Sequence, residues 1–256
     1  MPVPAVTETG SELAERHALV TGGSRGIGLA IARALAGRGA RVTVVSRAAT
    51  RAAHVDGLTC IDADISEEAQ LVRAFAQARS LHGPIEVLVN NAGIAESAPL
   101  SRTTTELWDR IIATNLTATF LGMREVVGEM RAAHFGRIVN VASIAGLGGA
   151  PYLAAYCAGK HGVVGLTRAA AAELADSGVT VNAVCPGYTR TEMMAQAVAN
   201  IVRLTQVDAR QAEQQLAATN PQGRLASVDE VAGAVLALCD GDQTGQCVVI
   251  PGGTLA

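Results

Sequence analysis

Apolar runs of strand length alternate with amphipathic stretches along almost the whole chain. Seven runs have the length and composition of strands, and they lie at 17–21, 41–46, 58–63, 87–90, 137–142, 179–185 and 247–250. Between them, apolar residues recur with helical spacing at 27–38, 67–81, 105–131, 152–175 and 228–238. Strands that are apolar throughout and alternate with helices are typical of a parallel sheet covered on both faces. The pattern therefore predicts an α/β protein with a doubly wound, parallel, seven-stranded sheet.

No repeat, low-complexity run or linker divides the 256 residues, so we predict a single domain over 1–256. The segment 186–223 interrupts the alternation, because it follows a strand and continues through a Gln- and Ala-rich helical stretch. In open α/β sheets, ligands bind beyond the carboxyl ends of the strands. We therefore expect 187–223 to form a substrate lid; the alternative is a surface excursion without a role.

Composition and charge exclude several classes of protein. Apolar residues make up 49% of the chain, which suits a folded aliphatic core. A net charge of −3 leaves no basic surface for nucleic acid or an anionic membrane, so neither partner is expected. The five cysteines lack the spacing of a metal site or of a disulfide framework, so we expect no metal. No basic residue precedes Arg16, so we expect no signal peptide and a cytoplasmic protein.

A Gly-rich turn follows the first predicted strand and opens the first predicted helix. Gly22, Gly26 and Gly28 permit a tight turn and close approach of the main chain, and the helix that follows presents free N–H groups to a diphosphate. The spacing is GxxxGxG rather than the commoner GxGxxG. The sequence therefore favours a dinucleotide site here, against the alternative of a plain strand–helix connection.

The end of the second strand indicates which dinucleotide would bind. An acidic residue usually lies there when the cofactor is NAD, but this chain has Ser46 and Arg47. Arg25 and Arg47 could together hold a 2′-phosphate through bidentate hydrogen bonds. We therefore expect NADP(H), although each arginine alone could be an ordinary surface residue.

The predicted helix 152–175 carries two groups that could exchange protons. Tyr156 and Lys160 lie four residues apart, so they share one helix face. An ammonium group near a phenol favours the phenolate and lowers the pKa of the tyrosine. Lys160 is the only lysine of the chain, which compositional drift could also explain. Ser143 follows a predicted strand, and its hydroxyl could bind a substrate carbonyl while Tyr156 donates a proton to it.

Several segments occur together in one order along the chain. They are TGGSRGIG (21–28), NNAG (90–93), Asn115, Ser143, YCAGK (156–160) and VNAVCPGYTRT (181–191). Together they resemble the short-chain dehydrogenases/reductases, and the resemblance covers residues 16–253. It implies a Rossmann fold and hydride transfer between a nicotinamide and a carbonyl or secondary alcohol.

The resemblance also implies a role for each matching residue. Tyr156 would be the general acid in reduction and the general base in oxidation, and Lys160 would bind the nicotinamide ribose and lower the Tyr156 pKa. Ser143 would orient the carbonyl, and Asn115 would hold a water molecule of a proton relay. The implied cofactor contacts are Gly22, Ser24, Arg25, Gly26, Ile27, Gly28, Ser46, Arg47, Asp64, Ile65, Asn91, Gly93, Tyr156, Lys160, Pro186, Gly187, Thr189 and Thr191. Without the family, Asn115, NNAG and Asp64 would read as ordinary structural features.

Within the family, the sequence looks most like reductases and dehydrogenases of 3-oxoacyl thioesters. The implied partner is a small carbonyl compound or acyl thioester, which Met193, Met194 and neighbouring apolar lid residues could cover. An alcohol or sugar dehydrogenase of the same fold and a non-catalytic NADP(H) sensor are the alternatives. The family further suggests a homotetramer, assembled through the helix 105–131 and its neighbour and through the last helix and strand.

Overall fold

The computed structural model describes residues 12–49 and 57–250, and within them seven strands form one parallel sheet. The order is β3-β2-β1-β4-β5-β6-β7, so the direction of winding reverses between β1 and β4. The strands are β1 (His17–Thr21), β2 (Arg41–Ser46), β3 (Leu58–Asp62), β4 (Val87–Asn90), β5 (Gly136–Val141), β6 (Val179–Pro186) and β7 (Cys247–Ile250). This topology confirms the predicted doubly wound, Rossmann-like fold. The predicted ends of the domain and residues 50–56 lie outside the described residues.

Helices cover both faces of the sheet, as the apolar strands require. They are α1 (Gly26–Ala36), α2 (Glu68–His82), α3 (Thr105–Ile112), α4 (Ala118–Ala132), α5 (Ala154–Glu173), α6 (Glu192–Thr205), α7 (Ala209–Ala218) and α8 (Val228–Asp240). One core cluster joins α1 and α8 to the sheet, and a second joins α2, α4 and α5 to the opposite face. No helix within the described ranges is long and apolar enough to cross a membrane.

The predicted helix 105–131 is wrong in one respect, because it is not continuous. A π-helical turn, Ala113–Thr117, separates α3 from α4. The Thr114 hydroxyl donates to the Arg110 carbonyl at 2.9 Å, and such a bond competes with the regular helical ladder. The Asn115 side chain is held by the main chain of Ile94, outside the helix. Wider turns of this kind are frequent at functional sites.

The segment predicted as a lid forms α6, α7 and the turns around them, beyond the carboxyl end of β6. The Thr191 side chain caps the first turn of α6, and that of Asp208 caps α7. Asn220 follows α7 and is buried, with only 3% of its surface exposed. The segment is therefore helical and tied to the sheet at its far end.

Candidate active site

The Gly-rich turn between β1 and α1 lies at the point where the winding of the sheet reverses. Gly22 and Gly26 have φ angles of +66° and +54°, a region that side-chain-bearing residues rarely adopt. A Cβ atom on Gly28 would overlap the Gly22 carbonyl oxygen and the Asn91 side-chain amide. The three glycines are thus needed by the geometry of the turn. Ser24 lies within the turn, and the Ile27 side chain packs against the α1–α8 core.

The first turn of α1 is open to a ligand. No side chain caps α1, whose N-cap residue is Arg25; α2, α4 and α5 also lack a side-chain cap, whereas α3, α6, α7 and α8 have one. The uncapped N–H groups and the positive end of the helix dipole favour an anion. A Cβ atom on Gly26 would meet nothing closer than Thr191, at 3.6 Å, so this side of the turn is roomy. The turn therefore fits the diphosphate of a dinucleotide.

The adenosine side of such a ligand would meet the ends of β2 and β3. The Ser46 hydroxyl is buried there and has no hydrogen-bond partner among the described residues. Burial raises the pKa of Asp64, but hydrogen bonds from Ser66 and the charge of Arg47 outweigh it, so the pKa lies below its ordinary value. Ile65 is buried in the core, 7% exposed. Ser46, Arg47 and Asp64 thus lie at one end of the crevice, and the unpartnered hydroxyl fits a polar ligand.

Arg25 reaches across the crevice to the lid. Its guanidinium forms an ion pair with Glu192, the first residue of α6. Both side chains are about two-thirds exposed, at 65% and 66%. An exposed pair of this kind contributes little energy, about 0–1 kcal/mol. Arg25 therefore remains available to an anionic ligand, in competition with Glu192.

The Asn91 side chain stabilises the Gly-rich turn. Its side-chain amide donates to the carbonyls of Thr21 and Gly22 at 3.0 and 3.1 Å. Gly93 lies close to the catalytic side, because a Cβ atom there would be 3.5 Å from the Lys160 ammonium. The NNAG segment thus connects the two ends of the crevice.

The predicted nicotinamide side is a tightly bonded turn after β6. Gly187 donates its N–H to the Ile250 carbonyl at 2.6 Å, and the Thr189 hydroxyl donates to the Gly187 carbonyl at 3.0 Å. The Thr191 hydroxyl donates to the Thr189 carbonyl and accepts from Met194. Pro186 ends β6 directly beside Ser143. These predicted cofactor residues therefore occur in one turn, at the carboxyl ends of β6 and β7.

Sequence reasoning missed Asn220, which fixes this turn from the far end of the lid. Its Oδ1 accepts from the Tyr188 N–H at 2.7 Å, and its Nδ2 donates to the carbonyls of Tyr188 and Arg224 at 2.8 and 2.6 Å. A Cβ atom on Gly187 would overlap the Asn220 side chain. The only signal in the sequence is an asparagine directly before a proline at the end of the insertion.

Lys160 is buried between β5 and α5, with 4% of its surface exposed. Its ammonium donates to the Val141 carbonyl at 2.7 Å and lies 5.8 Å from the centre of the Tyr156 ring. Burial lowers the pKa of Lys160 to about 8, while the nearby Cys185 acts in the opposite direction. The ammonium can therefore lose and regain a proton near neutral pH.

Tyr156 and Ser143 face each other at the carboxyl end of β5. The Ser143 hydroxyl accepts from the Ala145 N–H at 3.1 Å and lies within hydrogen-bond reach of the Tyr156 phenol. Burial raises the pKa of Tyr156 to about 12, although the Ser143 bond lowers it. The expected lowering of the Tyr156 pKa by Lys160 is thus not found: burial raises the pKa, and the Lys160 ammonium donates to the Val141 carbonyl. The site therefore contains a protonated Tyr156 phenol next to the Ser143 hydroxyl.

Asn115 lies in the π-helical turn and is completely buried. Its side chain accepts from the Ile94 N–H at 2.8 Å and donates to the Ile94 carbonyl at 2.9 Å. Its main-chain carbonyl accepts from the Thr119 hydroxyl. The side chain therefore holds the strand-end loop, beside Gly93 and Lys160.

Comparison with known proteins agrees with this geometry. A family model described as short chain dehydrogenase matches residues 16–201. The chain belongs to the short chain dehydrogenase family. Among its relatives in the family is the 3-oxoacyl-[acyl-carrier-protein] reductase MabA of Mycobacterium avium, which is 42% identical over 70% of this chain and 69% of its own. An acetoacetyl-CoA reductase of Shinella zoogloeoides is 38% identical over 93% of this chain and 98% of its own.

A solved structure shows how closely the fold of this short chain dehydrogenase follows that of a ketoreductase. A variant of actinorhodin polyketide ketoreductase with NADPH superposes with a TM-score of 0.87 at 35% identity. The match covers 92% of this chain and 95% of that one. The protein is therefore an oxidoreductase of this family with a nicotinamide cofactor, and its site lies where the winding of the sheet reverses.

Proposed function

We propose that the protein is an NADP(H)-dependent reductase of 3-oxoacyl thioesters, which forms the 3-hydroxy product. The observation that carries the proposal is the meeting of the Tyr156 phenol, the Ser143 hydroxyl and the buried Lys160 at the carboxyl end of β5. Relatives named for 3-oxoacyl and acetoacetyl-CoA reduction support the thioester substrate.

The crevice offers a contact for each part of NADP(H). The Gly22–Gly28 turn and the first turn of α1 would hold the diphosphate, and Ser46, Arg47 and Arg25 would hold the 2′-phosphate. Gly187 and Thr191 would lie against the nicotinamide, and Lys160 would bind the ribose hydroxyls. When bound, the cofactor supplies the hydride for the carbonyl carbon.

The side chains then supply the proton. Ser143 donates a hydrogen bond to the substrate carbonyl oxygen and so polarises it. Tyr156, whose pKa of about 12 keeps it protonated at neutral pH, donates its proton to the same oxygen as negative charge develops there. The Lys160 ammonium, whose pKa of about 8 makes it a stronger acid than the phenol, would return a proton to the phenolate. Asn115 keeps the Ile94 loop in place beside Lys160.

The lid would cover the acyl chain through part of its apolar face. Met193 and Leu204 of α6 are 43% and 68% exposed and can contact a substrate. Met194 is 6% exposed and packs beneath the helix, so it is not available for that purpose. Met193, which is exposed and adaptable, is the better candidate for the acyl contact.

The preference for a 2′-phosphate rests on two arginines and can be tested on one of them. We expect Arg47→Ala to weaken NADPH binding by about 10- to 100-fold, since a hydrogen bond to a charged group is worth about 1.5–3 kcal/mol. NADH binding should not change. Arg73→Ala, on the exposed face of α2, is the control. Equal weakening of both cofactors would argue against a 2′-phosphate site at β2.

The same family resemblance supports a homotetramer assembled through the segment 105–131, which contains α3 and α4, and its neighbouring helix, and through α8 and β7. Five free thiols support a reducing compartment, the cytoplasm. Light scattering of the purified protein at several concentrations would measure the assembly, and a monomer throughout would exclude it.

The substrate proposal is tested by the absorbance of NADPH at 340 nm with acetoacetyl-CoA, with NADH in parallel. We expect rapid loss with NADPH and little with NADH. Loss with NADH alone would overturn the cofactor proposal and leave the catalytic group standing. No loss with either, while simple alcohols or sugars are oxidised, would replace the thioester reductase by a dehydrogenase. Cofactor binding without turnover of any substrate would favour a sensor.

A further inference from the structure

Two cysteines lie next to each other on the last two strands of the sheet. Ala183 of β6 is the register partner of Cys247 of β7, and Cys185 lies two residues farther along β6. Side chains two residues apart on a strand share a face. Cys185 and Cys247 accordingly belong to one small apolar cluster with Val163 and Val164 of α5. The pair is thus covered by α5 rather than facing away from it.

The surroundings of the two thiols differ in a way that favours reaction at Cys247. Cys247 is half-buried on an edge strand, whereas Cys185 is completely buried. Hydrogen bonds from the Cys185 thiol and from Arg168 stabilise the Cys247 thiolate, and together they hold its pKa below the ordinary value despite burial. For Cys185 the effect is the opposite, because burial and the neighbouring Cys247 both raise its pKa.

Cys185 also connects the pair to the candidate active site. The Ser143 main-chain N–H and the Lys160 ammonium both lie close to its sulfur. Pro186 follows it directly, and the Pro186 carbonyl accepts from the Ser143 hydroxyl at 3.4 Å. A change at Cys185 is therefore transmitted over one residue to Ser143 and to the turn that begins at Gly187.

The other three cysteines lack this arrangement. Cys60 lies half-buried on β3, the opposite edge strand, and there burial and the charge of Asp62 raise its pKa. Burial raises the pKa of Cys239 to about 12. Cys157 is half-buried on α5 and does not belong to the cluster that contains Cys185 and Cys247. Among the described residues, only the β6–β7 pair combines a half-buried thiol, a neighbouring cation and a second thiol.

We propose that Cys247 and Cys185 form a peroxide-sensitive thiol pair, in which Cys247 reacts first and Cys185 resolves the product as a disulfide. The Cys247 thiolate attacks one oxygen of hydrogen peroxide, the O–O bond breaks, and the departing hydroxide takes up a proton to form water. The Cys185 sulfur then attacks the resulting sulfenic acid, an S–S bond forms, and the S–O bond breaks. The thiol proton leaves with the hydroxide as a second water. Two thiols lose two electrons, and one peroxide is reduced to two waters.

Closing the bridge requires movement of the strands. Parallel strands lie about 4.8 Å apart and rise about 3.3 Å per residue, so two positions offset by two residues are about 8 Å apart at Cα, whereas a disulfide needs about 4.4–6.8 Å. The end of β7 must therefore shift along β6, and the bond from the Gly187 N–H to the Ile250 carbonyl joins those two ends. The disulfide is expected to be readily reduced and to disturb the turn after β6.

The test uses the reduced full-length protein, treated with hydrogen peroxide and then blocked with N-ethylmaleimide. Peptide mass spectrometry of the wild type should find one cross-link, between Cys185 and Cys247 within one chain, and dithiothreitol should reverse it. In Cys185→Ser, dimedone should trap a sulfenic acid on Cys247. In Cys247→Ser, no cross-link should form and Cys185 should stay reduced. Cys60→Ser, on the opposite edge strand, should behave like the wild type.

Two further measurements do not depend on the variants or on any substrate. Iodoacetamide should alkylate Cys247 about tenfold faster than Cys60 at pH 7, because the thiolate is the reactive form. NADPH binding, followed by fluorescence, should weaken by about tenfold or more in the oxidised wild type and recover on reduction. Equal reactivity of Cys60 and Cys247, or oxidation that stops at Cys247 in the wild type, would overturn the pair. A cross-link between two chains would also overturn it.

Discussion

The two sides of the crevice differ in the chemical groups that they present to a ligand. On the side of β1 and α1, the contacts for a ligand come from main chain: glycines with positive φ angles and the uncapped N–H groups of a helix. On the side of β5 and α5, they come from buried polar side chains, Asn115, Ser143 and Lys160. Under the proposed function, the first side would recognise the shape and charge of the cofactor, whereas the second would place individual protons.

The hydrogen bonds behind each side follow the same division. Asn91 holds the Gly-rich turn through two main-chain carbonyls. Behind the catalytic side, Asn90 donates to Asn140 at 2.9 Å, and Asn140 donates to Thr167 at 3.0 Å, all within the core. A buried polar chain of this kind rigidifies its surroundings only when every member is satisfied. We therefore expect substitutions that add atoms to impair the main-chain side of the crevice most. Substitutions that remove side-chain atoms should impair the side of β5 and α5 most.

The largest effect is expected from Tyr156→Phe, which removes one oxygen from the catalytic side. Loss of a general acid should lower kcat by about 10²- to 10⁴-fold. NADPH affinity should change little, since the ring and the helix remain. Steady-state rates at 340 nm and NADPH fluorescence titration measure the two effects separately.

Tyr152→Phe is the matched control, because it makes the same change on a side chain that is 65% exposed, in the turn that precedes α5. Its kcat should stay within a factor of about two, as expected of a surface substitution. A Tyr156→Phe enzyme with wild-type kcat would assign the proton to another group.

The complementary change adds a single carbon to the main-chain side. Gly28→Ala should weaken NADPH binding by about 5- to 150-fold, since its Cβ atom overlaps main chain and Asn91, and overpacking costs about 1–3 kcal/mol. Isothermal calorimetry measures the affinity. Gly128→Ala, on α4 with no atom near its added Cβ, should bind NADPH normally and unfold at a slightly higher temperature. Normal binding by Gly28→Ala would show that the turn tolerates side chains.

The strands were predictable because their signal is local. Predictions for β1, β2, β4 and β7 match the observed bounds, because each strand is a short, mainly apolar run of strand length. The π-helical turn was not predictable in the same way. The Asn115 side chain that accompanies it binds Ile94, 21 residues earlier in the chain. A contact with a distant loop leaves no trace in the helical spacing of apolar residues.

The candidate site shows the same limit. Spacing alone places Tyr156 and Lys160 on one helix face. The strand that precedes Ser143 places the Ser143 hydroxyl at the carboxyl end of that strand. Whether the pKa of Tyr156 is raised or lowered, however, depends on how deeply the phenol is buried, and no sequence motif gives that depth. Asn220 was missed because it acts on Tyr188, 32 residues earlier in the chain.

A smaller effect follows from the pKa of Lys160. Burial lowers that pKa to about 8, so the ammonium is present below pH 8 and is lost above it. The pH dependence of kcat/KM for NADPH reports on the free enzyme. It should be flat below pH 8 and fall by about tenfold by pH 9, as the ribose contact loses its charge. Lys160→Arg stays charged over this range, so its profile, at a lower plateau, should lack the break. The same break in the arginine variant would assign it to another group.

The smallest effect concerns the ion pair that joins the two sides of the crevice. In the proposed NADP(H) site, Glu192 would compete with the 2′-phosphate for Arg25, so Glu192→Gln should tighten NADPH binding. Exposed pairs are worth about 0.2–1 kcal/mol, which corresponds to a gain of about 1.4- to 5-fold. The gain should shrink as salt is added, because screening weakens both the pair and the repulsion between Glu192 and the phosphate. Glu213→Gln, which removes an exposed carboxylate of α7 that pairs with Arg190 at 3.4 Å, should leave the affinity unchanged. NADH lacks the phosphate and should gain nothing; an equal gain for NADH would mean that Glu192 acts on the lid as a whole rather than on Arg25.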